Sequence, residues 1–194
     1  VKNERPIVVF SGGVHEPGEF SIIIDALRDV NMDCELDFYC FGTKEALNAL
    51  QKECEEKIKG RYKLIKNKSR EEVLHSIRNA DVGIVYYDPE YSINTKYAAP
   101  TKFFEYISLG IPVMASGNES LIKIIDEYHL GEYMRTNNVD GMREGLCRLL
   151  SNEEYRVQIS QNEMEAFQNH LCYEIQSKTA IRMITDLIQG GAEA

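Results

Sequence analysis

Short apolar runs of strand length recur along the chain at nearly even intervals. They are rich in β-branched and aromatic residues, and their apolarity is almost continuous, which is typical of parallel strands that are covered on both faces of a sheet. The pattern therefore predicts five buried strands, at residues 7–10, 36–41, 62–65, 82–87 and 111–115.

Segments with a helical period lie between these runs. In each segment apolar residues return after three or four positions and so form one stripe on a helix. The stripes are Ile23, Ala26, Leu27 and Val30, then Leu47, Leu50 and Cys54, then Val73, Leu74 and Ile77. Strands that alternate with helices indicate βαβ units with right-handed crossovers. We therefore expect an α/β fold, a three-layer Rossmann-like, doubly wound and mostly parallel sheet of about six strands.

The pattern continues more faintly beyond residue 116. It predicts two further helices and, between them, a short edge strand at 132–134. The apolar stripes of these helices are Leu121, Ile124 and Ile125, then Met142, Leu146, Leu149 and Leu150.

The last forty or so residues are helical in character. Neither Gly nor Pro occurs from residue 151 to residue 189, Asn152 is a candidate N-cap, and Gly190-Gly191 is a stop signal. No low-complexity linker or repeat divides the chain, so residues 1–194 are predicted to form a single domain.

The charge balance excludes one class of partner. The chain of 194 residues carries 22 Lys and Arg against 31 Asp and Glu, a net charge of −9. It has no dense basic run, and phosphate neutralisation dominates the binding of nucleic acids. We therefore expect no nucleic-acid partner.

Cysteine, histidine and hydropathy patterns bound the cellular setting. The five cysteines are odd in number and form no C-x-x-C pair, which favours reduced thiols over a disulfide frame or a zinc site. The four histidines lack the spacing of metal sites, so no metal is predicted. The apolar runs fall far short of the about 20 residues that span a bilayer, and no signal peptide precedes the first strand. A cytoplasmic location is expected. The first residue is Val and not Met, which favours a fragment of a longer protein.

The first candidate site follows the first predicted strand. In open α/β sheets ligands bind beyond the carboxyl ends of the strands, and residues 11–18 read SGGVHEPG. Gly12 and Gly13 allow backbone N–H groups to approach an anion closely, and His15 is the only candidate cation in this stretch. The stretch is not G-x-G-x-x-G and lacks a Walker lysine. A tight turn after the strand explains it equally well.

The second candidate site precedes the fifth predicted strand. Pro100 fits just outside a helix that runs from residue 102 to about residue 109, with Thr101 as a candidate N-cap. Lys102 and Glu105 are three residues apart, so they share one face near the N-terminus of this helix. A nucleoside diphosphate needs such a positive charge for its phosphates and such a carboxylate for its ribose hydroxyls. From spacing alone, an ordinary ion pair on a solvated face explains these residues equally well.

A family resemblance favours the ligand site. The stretch AAPTKFFEYISLGIPVMAS resembles the P-x-K-x-x-E-Y-x-x-x-G-x-P-V segment in the donor-binding domain of GT-B glycosyltransferases, in the retaining family 4, or group 1. IVVFSGGVHEPGEFSIIIDALRDV is similar to the first strand, glycine turn and helix of that domain. LHSIRNADVGIVYYDPEY and GMREGLCRLLSNEEYR resemble two further segments, so the match extends over nearly the whole chain.

The resemblance implies roles for individual residues. Glu105 would accept the ribose hydroxyls of a nucleotide-sugar, and Lys102, next to Pro100 and Thr101, would contact its diphosphate. Backbone amides at Gly12 and Gly13 would approach the distal phosphate, with His15 nearby. The remaining implied contacts of the sugar or phosphates are Asn94, Tyr97 and Ala98, and the loop 66–68 would lie near the base.

The chain also departs from the family pattern. Tyr97 stands where many relatives have the first glutamate of an E-x7-E pair. The basic pair of the first loop is missing, because Gly13 occupies the usual Arg position and Pro17 or Glu19 the usual Lys position. By these departures, the helix end at Lys102 would carry most of the donor binding.

The function implied by the resemblance is half of an enzyme. The chain would bind a nucleoside-diphosphate sugar for transfer to a glycan or lipid-linked acceptor, without an obligatory metal or other cofactor and with retained stereochemistry. A GT-B enzyme needs a preceding acceptor domain, for which 194 residues leave no room. The chain would therefore be catalytically incomplete alone, and the full enzyme could associate peripherally with a membrane. Two alternatives stay open: a GT-B-fold nucleotide-sugar epimerase and a non-catalytic α/β binding module.

The last predicted helix would cross toward the missing domain in a full enzyme. Its apolar positions are then expected to be partly exposed in this chain; they are Ile175, Ile181, Ile184 and Ile188.

Overall fold

The computed structural model describes residues 5–190, and in them strands alternate with helices as the sequence predicts. The strands are β1 (Ile7–Val14), β2 (Glu35–Gly42), β3 (Tyr62–Lys66), β4 (Val82–Val85), β5 (Val113–Ala115) and β6 (Gly131–Tyr133). The helices are α1 (Ser21–Asp29), α2 (Lys44–Lys57), α3 (Arg70–Ile77), α4 (Ile93–Lys96), α5 (Thr101–Ser108), α6 (Glu119–Tyr128), α7 (Val139–Ser151), α8 (Glu153–Ala166) and α9 (Tyr173–Gly190), with a π-helical turn (Phe167–Leu171) before α9.

The six strands form one sheet in the order β3-β2-β1-β4-β5-β6, and every pairing in it is parallel. This is the Rossmann strand order, in which the direction of winding reverses between β1 and β4. The predicted doubly wound fold is confirmed. The reversal opens a crevice beyond the carboxyl ends of these two strands, where ligands of such folds bind.

Two apolar clusters cover the two faces of the sheet. Because successive strand residues point to opposite faces, Val8 and Phe10 of β1 pack in one cluster and Val9 packs in the other. The first cluster holds the buried stripes of α1, α2 and α7, and the second holds those of α5 and α6. The three-layer prediction is therefore confirmed.

Strand β1 is longer than the sequence indicates. The predicted strand ends at Phe10, but β1 continues to Val14, because β2 also continues and pairs with it residue by residue: Gly12 with Cys40 and Gly13 with Phe41. The prediction of a turn or loop at Ser11 to Gly13 is thus wrong. Gly12 has φ 152°, which disfavours any residue with a side chain.

The start of α5 also differs from the prediction. Pro100, and not Thr101, is the N-cap, with φ −74° and ψ 150°, and Thr101 is the first helical residue. The proline ring fixes φ near this value, so the chain enters the helix directly after it. Phe103 and Ile107 of this helix are buried in the apolar cluster on one face of the sheet.

The C-terminal part is helical, as predicted. Asn152 caps α8 through its side chain, which accepts a hydrogen bond from the Tyr155 N–H at 3.0 Å. Helix α9 runs to Gly190, while Gly191 of the predicted stop lies outside the described residues. Within residues 5–190 no helix has the length and apolarity needed to cross a membrane.

Helix α9 leaves its apolar side uncovered. It packs against the π-helical turn that precedes it. Ile181, Ile184 and Ile188 are more than half exposed, as the sequence predicts, and Ile175 is partly buried.

Candidate functional site

A cleft of about 470 Å³ opens beyond the carboxyl ends of β1 and β2, beside the crevice at the winding reversal. Six of the predicted site residues line it: Gly12, Gly13, His15, Thr101, Lys102 and Glu105. Further lining residues come from the end of β2, from the start of α3 and the loop before it, and from the segment after β4; they are chiefly Tyr39, Phe41, Lys68, Arg70 and Tyr87. Its volume is in the usual range of small-molecule sites, about 300–1,000 Å³.

The ammonium group of Lys102 is held between aromatic rings. Its Nζ lies 4.0 Å from the ring centroid of Phe10 and 5.0 Å from that of Tyr87. No carboxylate of residues 5–190 lies within ion-pair distance of it. Burial lowers the pKa of Lys102 to about 7, and the more distant charges of Glu19 and Glu105 oppose this shift. A charge that is desolvated and unpaired gains much from an anionic ligand.

Gly12 makes room for this ammonium. A Cβ atom at Gly12 would lie 2.7 Å from Lys102 Nζ and 3.4 Å from the Phe10 ring. Any side chain there would displace the lysine from the cleft. The role of Gly12 that the structure shows is therefore close packing of Lys102 on the backbone of β1.

Helix α5 is fastened to β1 through Tyr106. The buried Tyr106 hydroxyl accepts a hydrogen bond from the Ser11 N–H at 2.9 Å and lies 3.0 Å from Ser11 Oγ. Its ring covers Gly83 of β4, where an added Cβ would lie 2.6 Å from a ring carbon. These contacts fix the distance between α5 and the carboxyl end of β1. The N-cap of α5 has no side-chain hydrogen bond, and the Phe103 N–H donates to the Pro100 carbonyl at 3.0 Å. Within the described residues the N–H groups of Thr101 and Lys102 therefore remain available to a ligand.

Glu105 forms an ion pair across the cleft and not along its own helix. Arg70 Nε donates to Glu105 Oε1 at 2.5 Å, while no ion pair within residues 5–190 joins Lys102 to Glu105. The alternative of an i,i+3 ion pair on a solvated face is therefore wrong. The Glu105 side chain is only 15% exposed, whereas that of Arg70 is 72% exposed.

The sequence reasoning missed Arg70 at the start of α3, although the loop 66–68 that it placed near the base contains Lys68. Ser69 caps this helix in a capping box with Glu72, which fixes the backbone of Arg70 at the first helical position. Lys68, just before the cap, also lines the cleft and pairs with Glu72 at 3.0 Å. The signal was present in the sequence, since S-R-E-E directly after the third strand is a helix start at the ligand edge of the sheet.

In the loop between β1 and α1, the backbone N–H groups bind the carboxylate of Glu19. Glu19 Oε2 accepts hydrogen bonds from the N–H groups of His15, at 2.7 Å, and Glu16, at 3.4 Å. Glu19 is one of the two positions, with Pro17, at which the resemblance leads one to expect a lysine. Its carboxylate thus occupies backbone donors that a phosphate would need.

The other four predicted residues do not line this cleft. Asn94 is exposed on α4, Tyr97 follows that helix, and Ala98 and Pro100 lead from it to α5. Their assignment to the sugar or phosphates stays a prediction.

A buried polar network holds the segment that contains them. Asn118 Nδ2 donates to the carbonyl groups of Tyr87 and Thr95, and Asn118 Oδ1 accepts from Ser116 Oγ at 2.5 Å. Ser116 Oγ in turn accepts from the Tyr87 N–H at 2.9 Å. The network ties the segment after β4 to the segment after β5, and the sequence reasoning did not find it.

Comparisons with solved structures agree with this architecture. A glycosyltransferase from Rickettsia africae ESF-5 superposes with a TM-score of 0.77 at 12% identity, over 96% of this chain and 48% of that chain. HepE from Anabaena, solved with UDP-glucose, has a TM-score of 0.74 at 14% identity, over 94% and 49%. The C-terminal domain of the group 1 family protein LpcC from Francisella tularensis has a TM-score of 0.67 at 15% identity, over 87% and 86%.

These similarities establish the fold, and the sequence establishes the family. The chain spans about half the length of the Rickettsia and Anabaena proteins that it matches. No curated protein matches it significantly by sequence. The family model described as glycosyl transferases group 1 matches residues 1–166. The chain therefore belongs to the group 1 glycosyl transferases, and its sheet is one Rossmann-like half of a GT-B fold.

Proposed function

We propose that this chain is the donor domain of a glycosyltransferase and binds a nucleoside-diphosphate sugar in the cleft between β1, α3 and α5. The observation that carries the proposal is Lys102. Among the described residues its ammonium group has no ion-pair partner, and it lies beside the backbone at Gly12 in a cleft of sufficient volume. Membership of the group 1 family supports it.

The diphosphate would lie between Lys102 and the first turn of α5. The ammonium group and the free N–H groups of an uncapped helix start both favour an anion. As the sugar leaves, negative charge grows on the departing phosphate. Fixed donors at this position stabilise that charge more than they stabilise the substrate, which lowers the barrier.

The ribose would lie against Glu105. Its carboxylate is mostly buried at the cleft wall and offers two oxygens to two neighbouring hydroxyl groups. We assign no catalytic residue to this chain. With retention, as in the family, and an acceptor domain that precedes this one, the acceptor would approach the sugar from the other half of the enzyme.

The test is calorimetric titration of the chain with UDP-, GDP- and ADP-sugars. We expect one of the three to bind, and Lys102→Ala and Glu105→Ala each to weaken binding at least tenfold, or about 1.4 kcal/mol. Lys52→Ala on the exposed side of α2 is the control, and it should bind like the unmodified chain. We also expect the same affinity in EDTA and in magnesium, because the proposal assigns the phosphates to protein cations.

Two results would count against the proposal in different ways. Failure of all three nucleotide-sugars to bind would refute the donor function. Binding that survives both Lys102→Ala and Glu105→Ala would keep the function but move it to another site.

A further inference from the structure

Glu105, whose carboxylate would accept the ribose hydroxyls, already forms an ion pair with Arg70 in the free protein. Arg70 Nε lies 2.5 Å from Glu105 Oε1, so the guanidinium occupies one of the two oxygens that a ribose needs. Arg70 belongs to α3 and Glu105 to α5, and both line the same cleft. The ion pair therefore spans the place where a nucleoside would enter.

The two partners differ in how firmly they are held. Glu105 is 15% exposed and lies on α5, which Tyr106 fastens to β1. The Arg70 side chain is 72% exposed, although its backbone is fixed by the Ser69 cap. Only side-chain rotation is needed to withdraw the guanidinium.

Hydrogen bonds from a ribose to Glu105 can outweigh the ion pair between Arg70 and Glu105. An ion pair with one exposed partner is screened by water and contributes little to stability. Two hydroxyl groups that donate to a mostly buried carboxylate form charge-assisted hydrogen bonds, which are stronger than neutral ones. A ribose can therefore displace Arg70, at a cost that lowers the observed affinity.

We propose that Arg70 is a latch on the ribose subsite: it neutralises Glu105 in the free protein and is displaced from Glu105 by the ribose hydroxyls when a nucleotide binds. This inference rests on the proposed donor function and adds to it a side chain that competes with the ribose for Glu105. A ligand without two free ribose hydroxyls forms no hydrogen bonds with Glu105 and leaves the ion pair closed, so its affinity does not depend on the contact between Arg70 and Glu105.

Fragments of the ligand separate the latch from the general positive charge of Arg70. The probes are a nucleoside, the corresponding 2′,3′-dideoxynucleoside and inorganic pyrophosphate, titrated by NMR into the full chain with the base that calorimetry identifies. The variant is Arg70→Gln. Its matched control is Lys68→Gln, which removes a positive charge from the same cleft wall while Lys68 pairs with Glu72 and not with Glu105.

We expect Arg70→Gln to tighten nucleoside binding about two- to fivefold. The gain should be absent for the dideoxynucleoside and absent in Lys68→Gln. Pyrophosphate should bind more weakly in both variants. Arg70→Ala serves as a second variant and should show the same gain for the nucleoside.

Equal or weaker nucleoside binding in both Arg70 variants would overturn the latch while the donor function stands. If the unmodified chain binds none of the three nucleotide-sugars in calorimetry, the donor function and the latch both fail. Nucleotide-sugar binding by the unmodified chain therefore distinguishes a failure of the latch alone from a failure of the donor function.

Discussion

Lys102 and its surroundings define the chemistry of the cleft. An ammonium group that rests on two aromatic rings is stabilised by their negative faces but loses most of its hydration. Desolvation prevails, and the pKa falls to about 7. The group therefore titrates in the pH range in which the protein would be assayed.

The affinity for a nucleotide-sugar should depend on pH through Lys102. Below pH 7 the lysine is charged and binds the diphosphate, and above pH 7 the free protein loses this charge. Between pH 6 and pH 8 we expect the dissociation constant to rise about tenfold. Calorimetry with a nucleotide-sugar suits this test because its diphosphate does not titrate in that range.

Lys102→Arg is the control for this pH dependence. Arginine stays charged throughout, so its affinity should be nearly constant between pH 6 and pH 8. An equally steep rise in Lys102→Arg would assign the pH dependence to another group.

Glu19 is expected to oppose donor binding. Its carboxylate holds the N–H groups of His15 and Glu16, and its negative charge repels a diphosphate. Glu19→Gln keeps a hydrogen-bond acceptor but removes the charge, which should tighten nucleotide-sugar binding about two- to fivefold, or about 0.5–1 kcal/mol. The measurement is calorimetry beside Glu16→Gln, a neighbour in the same loop. Weaker binding in Glu19→Gln would mean that the loop conformation matters more than its charge.

For individual residues, sequence spacing predicted neighbours only within one helix. It predicted that Lys102 and Glu105 share the start of α5, and both line the cleft. It could not identify Arg70 as the partner of Glu105, because the two residues are 35 positions apart and meet only when α3 and α5 lie on the same side of the sheet. Such contacts are a product of topology.

Among the elements, α5 is the one that positions the site. One side of it is buried through Phe103, Tyr106 and Ile107, and the other presents Lys102 and Glu105 to the cleft. The hydrogen bond from Ser11 to Tyr106 gives the helix a fixed place along β1.

Tyr106→Phe should destabilise the chain by about 1–3 kcal/mol, because it leaves the buried Ser11 N–H without its acceptor. Urea denaturation measures this loss. Tyr91→Phe, at a side chain that is 78% exposed, is the matched control and should change little. A Tyr106→Phe variant as stable as the control would show that the Ser11 N–H finds another partner.

The alternation of elements could be predicted from the sequence, but two boundaries could not. Apolar periodicity identifies α5 and β1 because each buries a continuous stripe. The extension of β1 to Val14 depends on pairing with β2, and glycines in its last part carry no apolar signal. Cap statistics favour Thr101 as the N-cap, but the backbone dihedral angles place the cap at Pro100. This boundary is set by backbone geometry, which residue preferences do not reveal.

On the scale of the whole molecule, the sheet and its two helical layers form a complete core, and α9 lies outside it. Its apolar residues contribute little to that core because they remain largely in water. In a two-domain enzyme of this family the helix would contact the acceptor half. We predict that the core of this chain is stable without a contact on α9.

Replacing two of these residues should therefore leave stability unchanged. For Ile184→Gln with Leu187→Gln we expect a change in the free energy of unfolding within about 0.5 kcal/mol, since the two side chains are 56% and 75% exposed. Leu149→Ala in α7, at a fully buried position, should by contrast cost about 2–5 kcal/mol. Thermal and urea denaturation compare the variants. A large loss in the α9 variant would reveal a packing role within this chain.

The low pKa of Lys102 also makes it a chemical handle. At pH 7.5 a lysine with a pKa of about 7 is mostly a neutral amine, whereas an ordinary lysine, with a pKa near 10.5, is neutral in about one molecule in a thousand. A mild acylating reagent that enters the cleft should thus react with Lys102 before the exposed lysines. The mass of the labelled peptide would then report, without any enzyme assay, whether a compound occupies the cleft and shields the amine.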